Sequence, residues 1–546
     1  MSRKFNGNED LILKLQWASP ILAIIVAVIA TWIAVIYAGQ PLLESHGFRQ
    51  THTAITSYWM IRDGWRLAYE TPVGGYPWSI PIEFPIYQTI VAFIAWLGNF
   101  QLDYTGRLIS YCFLLACAWP AFMIVRRLNL PTQVAWVFCA LLWSSPIYLF
   151  WGRTFLIETA ALFFTVAAIP FAIDLCNPSP SWRSALLFML FATLGMLQKV
   201  TTTAPVIIVI TFIILATHLK SSGLHIPPWR QIAYVMMALV VPIIITMLWT
   251  NYADALKEQN PLGAELTSKM LMGWYFGTIE QRFDINILKT IFWDRMLVEN
   301  AAGVFGIAII GGALFWGESR VRPILLTSII LFMLPILIFM NQHWVHIYYQ
   351  ASSAFFLIGA LAVATVFLLP EGIGRYTAVP IITIIFVASN FYFFWAGYAN
   401  NLKMRLDPSQ TRVLKIGELI RKYTPEDSGI VVFGDDWSSE IAYYAQRKSF
   451  TVPGWAKVYD TVWKDPASFL GGKELGAIVF CTYRNKPTFK DIAERPDIKR
   501  QPKLINVAPC YIWLPNAESY VLPSSNHPII SLRIFDKTSG SILEGA

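Results

Sequence analysis

Charged side chains are scarce in this sequence of 546 residues. The 42 Lys and Arg and the 34 Asp and Glu together make up only 14% of the chain, whereas hydrophobic residues make up 55%. Ordinary soluble domains carry roughly 25% charged residues. A soluble fold of this length is therefore excluded for most of the chain, and the composition indicates a membrane protein.

The charge that is present is distributed unevenly. Residues 401–546 contain 36 charged side chains, and the first 400 residues contain only 40. We therefore predict a polytopic helical membrane domain over 1–400, with a first outer loop at 40–105, and a soluble α/β domain over 401–546. The net charge of +8 does not indicate nucleic-acid binding, because the basic residues stand at the ends of apolar runs and form no cluster with exposed aromatics.

Cysteine is also rare, and six residues are too few for a disulfide scaffold. Four of them lie inside apolar stretches, where they behave as small hydrophobic side chains: Cys112, Cys117, Cys139 and Cys176. Cys481 and Cys510 each border a strand-like run, AIVFC and CYIWL. We predict that these two form a disulfide, which requires an oxidising compartment.

Several catalytic motifs are missing. The chain has no P-loop, no GxGxxG, no HExxH and no serine-hydrolase elbow, and it has no internal repeat. These absences argue against nucleotide-dependent and metal-dependent hydrolytic chemistry. No cofactor is predicted, although the clustering of four of the seven histidines leaves a divalent metal open.

Long apolar runs are abundant in the sequence. Eleven of them are suitable for crossing a bilayer of roughly 30 Å: 19–38, 106–125, 132–150, 155–175, 182–197, 203–219, 232–250, 301–317, 323–340, 347–369 and 378–396. The first is predicted to be a retained span and not a cleaved signal peptide. The run 85–97 is shorter, and we predict that it forms an interfacial or re-entrant helix.

Basic residues at alternate span ends set the predicted orientation. They fall on the same side as the N-terminus: Arg126, Arg127, Arg183, Lys220, Arg230, Arg320, Arg322 and Arg375. An odd number of spans then places the C-terminal domain on the opposite, extracytoplasmic side. The first outer loop and the turns around Arg153, Lys199 and His343 fall on that side too.

The unusual polar residues gather on this predicted outer face. The first outer loop contains Glu44, His46, Arg49, His52 and Glu83. Three more sites lie at the mouths of spans, where ionisable side chains usually face a cavity or a partner: Glu158 with Arg153 in RTFLIETAALFF, Lys199 at the end of LGMLQK, and His343, His346 and Gln350 in HWVHIYYQ. We predict that these last three share one helical face, with Tyr349 beside them.

This inventory suits one type of reaction. A carboxylate can remove the proton from an acceptor hydroxyl, and clustered cations can neutralise a phosphate leaving group on a lipid. These residues also have ordinary structural explanations, which are solvated loop charges, an ion pair between Arg153 and Glu158, and interfacial snorkelling of Lys199.

Several segments together resemble a known family. They are HGFRQTHTAI and EFPIYQ in the first loop, GRLIS at 106–110, RTFLIETAALFF, the QK at the end of the fifth span, and HWVHIYYQ. Over roughly 15–400 the chain resembles bacterial membrane glycosyltransferases related to protein O-mannosyltransferases and the lipid A aminoarabinose transferase. The resemblance implies the GT-C fold, a polyprenyl-phosphate sugar donor, inversion at the anomeric carbon, and a bacterial inner membrane with the active site on the periplasmic side.

The resemblance also assigns residues, with one departure. Mannosyltransferase-like members carry an Asp-Glu pair where this sequence has Arg49 and Gln50. We therefore predict Glu83 as the catalytic base or acceptor orienter, with Glu44 and Glu158 as the other candidates. The predicted contacts to the donor or acceptor are Arg49, His52, Tyr87, Arg153, Lys199, His343, His346, Tyr349 and Gln350.

Two other functions stay open at this point. A secondary transporter has a similar number of spans and buried charges, but transporters usually show internal repeats and midplane sites. The membrane domain could instead anchor a C-terminal binding domain, with Asp435 and Asp436 at a strand end as its site. The ordinary interpretation of that pair is a turn.

Overall fold

The computed structural model describes residues 15–222, 229–403, 411–482, 487–500 and 504–515. Helices occur in every one of the eleven predicted apolar runs, because these runs are long and rich in apolar residues that a bilayer or a helical core can bury. Their bounds are Ala18–Ile36, Leu102–Ala116 with Ala118–Arg127, Thr132–Ser144, Glu158–Leu175, Trp182–Gln198, Val200–Ser222, Trp229–Lys257, Val304–Trp316, Arg322–Ile338, Ala351–Phe367 and Ile373–Phe393. The predicted polytopic helical membrane fold is confirmed.

Helix length does not support all eleven runs as separate spans. Within the described residues, eight helices are long and apolar enough to cross a membrane, and a ninth arises if Ile285–Ala301 and Val304–Trp316, which meet at 85°, count as one. Thr132–Ser144 has 13 residues and Trp182–Gln198 has 17, which is short of the roughly 20 that a span needs. The first of these ends before Pro146, whose ring removes a backbone donor, and the chain restarts as Pro146–Trp151.

Shorter elements complete the helical part. They are Met272–Phe276, Ile279–Phe283, Ile285–Leu288, Glu299–Ala301, Met340–Val345 and Ala399–Lys403, the π-helices Lys289–Val298 and Phe394–Tyr398, and the 3₁₀ turns Ser319–Val321 and Ile347–Gln350. π-Helical turns are rare in proteins overall, but those that do occur are often found at functional sites.

The chain divides into two compact units. The first consists of 1–38, 107–248 and 272–400, and the second consists of 39–106, 249–271 and 401–546. The second unit therefore groups the C-terminal residues with two earlier segments. Its helices are Gly47–Asp63, Ile86–Gly98, Arg412–Tyr423, Glu440–Ala445, Tyr459–Lys464, Phe489–Glu494 and Pro496–Arg500, with 3₁₀ turns at Gly263–Leu266 and Ala467–Phe469.

A five-stranded sheet forms the centre of the second unit. The strands are β1 Gly429–Phe433, β2 Lys448–Val452, β3 Leu475–Cys481, β4 Ile505–Val507 and β5 Cys510–Trp513. Their order is β2-β1-β3-β5-β4, with β1 parallel to β2 and β3, and with β5 antiparallel to β3 and β4. The sequence itself predicts strands in SGIVVFGDDW at 428–437 and GAIVFC at 476–481, and a helix in SSEIAYYAQR at 438–447. The strands β1 and β3 and the helix Glu440–Ala445 confirm these predictions and the small α/β fold.

The predicted disulfide is confirmed. Cys481 ends β3 and Cys510 begins β5, and the antiparallel register places them directly opposite one another. Their Cα atoms lie 4.1 Å apart and the two sulfur atoms are bonded. The bond therefore joins the two strands at the point where the sheet changes from parallel to antiparallel.

Asn260 ties the early segments of the second unit together. Its side-chain amide donates to the backbone carbonyls of Gly74, Gly75 and Pro77, and its Oδ1 accepts from the amides of Leu262 and Gly263. Gly74 in turn forms a β-bridge with Phe450 of β2. A single side-chain amide thus satisfies five backbone groups of two loops, and four of these five hydrogen bonds are buried.

One apolar core spans all three segments of this unit. It contains residues from the first loop, from 249–271 and from the sheet, including Trp78, Ile80, Leu262, Leu266, Val431, Phe433, Phe450 and Val452. Burial of an apolar side chain of this size stabilises the folded state by about 1.5–3 kcal/mol. The first loop is ordered by this packing, since long loops do not fold by themselves.

Candidate functional site

A buried lysine organises the polar residues of the first unit. Lys199 caps helix Trp182–Gln198 in an extended conformation, which separates it from the next helix, Val200–Ser222. Its Nζ lies 2.5 Å from Oε1 of Glu158 and 3.5 Å from the ring centroid of Tyr349. Together with His343 and Gln350 these residues form what we call the Lys199 cluster.

The position of Glu158 follows from the helix it begins. Glu158 is the first residue of helix Glu158–Leu175, where the positive end of the helix dipole favours a carboxylate. The side chains of Lys199 and Glu158 are 8% and 6% exposed, so water stabilises neither charge. Each buried charge is stabilised instead by the opposite charge of its partner. The ion-pair partner of Glu158 is therefore Lys199, and the snorkelling interpretation of Lys199 does not apply.

Three buried polar atoms of the Lys199 cluster make no hydrogen bond to any described residue. They are Oε2 of Glu158, Nδ1 of His343 and Oε1 of Gln350. Buried polar groups are nearly always satisfied, so exceptions call for an explanation such as a ligand. The cluster thus offers one cation, acceptor oxygens and an imidazole at a single place.

His343 contributes a neutral ring to this cluster. Burial, together with the nearby charges of Lys199 and Arg295, lowers the pKa of His343 to about 3. The imidazole is therefore uncharged at neutral pH. It can form hydrogen bonds to a ligand, but it does not add to the positive charge that a phosphate requires.

The predicted helical face of His343, His346 and Gln350 is wrong. His343 lies in helix Met340–Val345, His346 is extended with φ −120° and ψ 102°, and Gln350 ends the 3₁₀ turn Ile347–Gln350. The spacing rule fails because the helix is interrupted. Gln350 is nevertheless held near His343, since its Nε2 donates to the His343 carbonyl at 3.0 Å. His346 stacks on Tyr349 with ring centroids 5.8 Å apart.

Arg295 supports the same segment, and the sequence analysis did not single it out. It donates to the carbonyls of His343 and Trp344 at 3.1 and 3.2 Å. It lies in the π-helix Lys289–Val298. The signal that could have found it is a WDR triplet beside an apolar run, a pattern too common to be specific.

Arg153 is held by a different set of contacts in the first unit. It is 1% exposed, it donates to the Tyr37 carbonyl at 3.5 Å, and its guanidinium lies 5.4 Å from the Phe150 ring centroid. Aromatic rings stabilise a buried guanidinium through their negative faces.

A second cluster surrounds Glu83 in the second unit. Its Oε2 lies 3.2 Å from the guanidinium of Arg49, and its Oε1 accepts from Gln88 Nε2 at 2.9 Å. The side chains of Glu83 and Arg49 are 9% and 18% exposed. Arg49 and Gln88 together fix the orientation of the carboxylate. We call Glu83, Arg49, Gln88 and Tyr69 the Glu83 cluster.

Tyr69 fixes the backbone of this cluster. Its hydroxyl donates to the Glu83 carbonyl at 2.8 Å and accepts from the Ile82 amide at 2.9 Å. Burial raises the pKa of Tyr69 well above 10, and the charge of Glu83 adds to that effect. The hydroxyl therefore remains a donor at any ordinary pH. Trp249 packs on Tyr69 and Phe84 with ring centroids 6.5 and 4.9 Å away.

Three further predicted residues of the second unit are buried: Glu44, His52 and Tyr87. Glu44 and His52 are 2% and 4% exposed. Burial and the charge of Arg49 hold the pKa of His52 well below 6.5, so this ring is neutral as well. Tyr87 is fully buried and its hydroxyl donates to the Gly106 carbonyl at 2.7 Å, which is a structural bond.

No metal site is formed by the part of the chain that the structure describes. No three His, Cys, Asp or Glu side chains come close enough there to share an ion.

Comparisons with known proteins place the fold. No protein-family model matches the chain, and no curated protein matches it. Among solved structures the chain is similar to ArnT from Cupriavidus metallidurans bound to undecaprenyl phosphate, with 13% identity and a TM-score of 0.58 over 92% of this chain and 99% of that one. The apo form of the same protein gives a TM-score of 0.59 at 13% identity, over 90% and 97%. The chain thus has the fold of a GT-C membrane glycosyltransferase.

Proposed function

We propose that this protein is a membrane glycosyltransferase that moves a sugar from a polyprenyl-phosphate donor to an extracytoplasmic acceptor. The observation that carries the proposal is the Lys199 cluster, a buried cation with unsatisfied polar atoms beside it. A similar fold in a protein whose structure contains undecaprenyl phosphate supports the choice of a lipid phosphate as its ligand.

The Lys199 cluster supplies what a phosphate leaving group requires. Lys199 is a compact cation with three donors, and it is kept in place by Glu158 on one side and the ring of Tyr349 on the other. The neutral His343 adds a hydrogen bond without repelling the lysine. In a dry surrounding, such charge-assisted bonds are stronger than in water.

We assign the proton transfer to Glu83. In the proposed step an acceptor hydroxyl oxygen forms a bond to the anomeric carbon from the face opposite the phosphate, so that the configuration inverts. The bond from the anomeric carbon to the phosphate oxygen breaks, and its electron pair stays on the lipid phosphate. The hydroxyl proton goes to the Glu83 carboxylate, which Arg49 and Gln88 hold in one orientation.

The rival functions have less support. A secondary transporter is disfavoured because transporters usually contain internal repeats and this sequence has none. A pure membrane anchor is disfavoured because it needs no buried ion pair in its helical part.

A labelled donor tests the proposal directly. Purified protein incubated with a radiolabelled polyprenyl-phosphate sugar and a membrane extract is expected to move label into a new product, because the lipid phosphate is a good leaving group once neutralised. Label recovered only as intact donor, bound or transported, would rule out the transferase reaction and favour one of the two rivals.

The proposed orientation makes a separate prediction. We propose that the C-terminal domain lies on the periplasmic side of a bacterial inner membrane, because basic residues at alternate span ends favour that orientation. An alkaline-phosphatase fusion at the C-terminus should be active there, and a green-fluorescent-protein fusion at the same point should be dark. The reverse result means that one span was assigned wrongly, with 85–97 as the first suspect.

A further inference from the structure

One tryptophan of the second unit is exposed beside the sheet. Trp455 is 53% exposed, and no other large apolar side chain that the structure describes within 411–482, 487–500 and 504–515 is exposed. It follows β2 directly, after Val452, Pro453 and Gly454. An isolated tryptophan on such a polar surface is typical of a binding contact, since Trp is enriched where partners are held.

A hydrogen bond holds the exposed indole of Trp455 in one orientation. Its Nε1 donates to Oδ1 of Asp436 at 2.9 Å. Asp436 follows β1 and has a left-handed backbone with φ +53°, a conformation that Asp tolerates better than most residues. Because β1 and β2 are neighbouring parallel strands, these two residues meet at the carboxyl edge of the sheet. Ligands of open α/β sheets bind at that edge.

The loop after β1 is held from behind by aromatic packing. Trp437 contacts Phe48 and His52 edge to face, with ring centroids 5.0 and 5.2 Å apart. His52 is 4% exposed, and its Nδ1 makes no hydrogen bond to any described residue. The loop after β1 therefore contacts the exposed indole of Trp455 through Asp436, and the unsatisfied, neutral imidazole of His52 through Trp437.

We propose that the loops after β1 and β2 form a sugar-binding site that recognises a glycan portion of the acceptor. This inference rests on the proposed transferase function and narrows its acceptor to a sugar-bearing molecule. A pyranose ring has an apolar C–H face, which packs on the negative face of an indole, and a rim of hydroxyls, which donate to carboxylates. Trp455 supplies the indole, and Asp436 supplies the carboxylate beside it.

The test measures glycan binding in the absence of donor. Full-length protein in a detergent without a sugar headgroup is applied to an array of pyranose oligosaccharides that also displays unglycosylated peptides. The wild type is expected to bind a subset of the glycans, and Trp455→Ala should weaken that binding by about ten-fold. Because Trp455 is exposed, the variant should keep the wild-type thermal unfolding temperature.

Trp65 provides a matched control. It is also 53% exposed in the same unit, and its indole N–H is likewise bonded, to Thr89 Oγ1 at 3.0 Å. Trp65→Ala should bind the same glycans as the wild type. The proposal is overturned if the wild type binds no glycan or only peptides, if Trp455→Ala binds as well as the wild type, or if Trp65→Ala loses binding equally.

The outcome is separable from that of the proposed function. Protein that binds glycans through Trp455 but never consumes labelled donor keeps this site and loses the transferase assignment. Protein that consumes donor but binds no glycan keeps the transferase assignment and loses this site. In the second case Trp455 is better explained as an interfacial anchor, a common position for tryptophan in membrane proteins.

Discussion

Replacing Glu83 by Gln is expected to reduce sugar transfer by roughly two to four orders of magnitude. The substitution keeps the size of the side chain and an oxygen that can accept from Arg49, but it removes the capacity to take a proton. Donor binding should persist, because we assign the phosphate to the Lys199 cluster. Transfer is measured with the labelled donor, and binding is measured by retention of the same donor on immobilised protein.

Glu265→Gln is the matched control for this experiment. Glu265 lies in the same unit, its side chain is 17% exposed, and it pairs with Lys457 at 2.7 Å, so it shares the ion-paired state of Glu83. It should transfer sugar normally. If Glu83→Gln is active and Glu44→Gln or Glu158→Gln is not, the base is another carboxylate. If all three are active, the catalytic assignment fails and a transporter explains the buried charges better.

Lys199→Met is expected to act on stability and on donor binding together. Removing one partner of a buried ion pair leaves the other charge uncompensated, which costs about 3–5 kcal/mol. The variant should unfold at a lower temperature in detergent. It should also bind the lipid donor at least about ten-fold more weakly, since a charge-assisted bond to phosphate contributes about 1.5–3 kcal/mol.

A double variant separates the two effects. Lys199→Met with Glu158→Gln removes both charges, so most of the lost stability should return while donor binding stays weak. Lys257→Met is a suitable control, because Lys257 is equally buried and pairs with Asp254 at 2.6 Å outside the Lys199 cluster. It should lose stability but bind donor normally when folded. Normal donor binding by the double variant would show that Lys199 has a structural role only.

The apolar runs were sufficient to predict where helices form, but not how many cross the membrane. Helix formation depends mainly on local composition, whereas a membrane span also requires sufficient length. The break at Ser145–Pro146 divides the predicted run 132–150 into two helices that are each too short to cross a bilayer. The strands around Val431 and Val479 and the Cys481–Cys510 bond were predictable for the same local reason, since buried strands are short and apolar.

The polar clusters were harder to predict because their members are distant in sequence. Glu158 and Lys199 are 41 positions apart, and no local pattern pairs them. Gln88 closes the EFPIYQ segment but only the fold places its amide on Glu83. No glycine or proline near His346 indicates that the helix is interrupted there. The sequence therefore predicted a continuous helical face over HWVHIYYQ, and that prediction was wrong.

The tie made by Asn260 also has a consequence for how the chain is made. The first loop leaves the ribosome some 185 residues before Asn260, and the strands that complete their shared core follow about 170 residues later still. Contacts between residues this far apart in sequence form late in folding. The entropy cost of closing the long intervening loop must be met before the contacts can stabilise the fold. During synthesis the segment that carries Trp78 and Ile80 therefore lacks its core until the last strands have been made. The core around Trp78 and Ile80 is therefore complete only in the finished protein, whereas the partners of Glu83 are made much earlier.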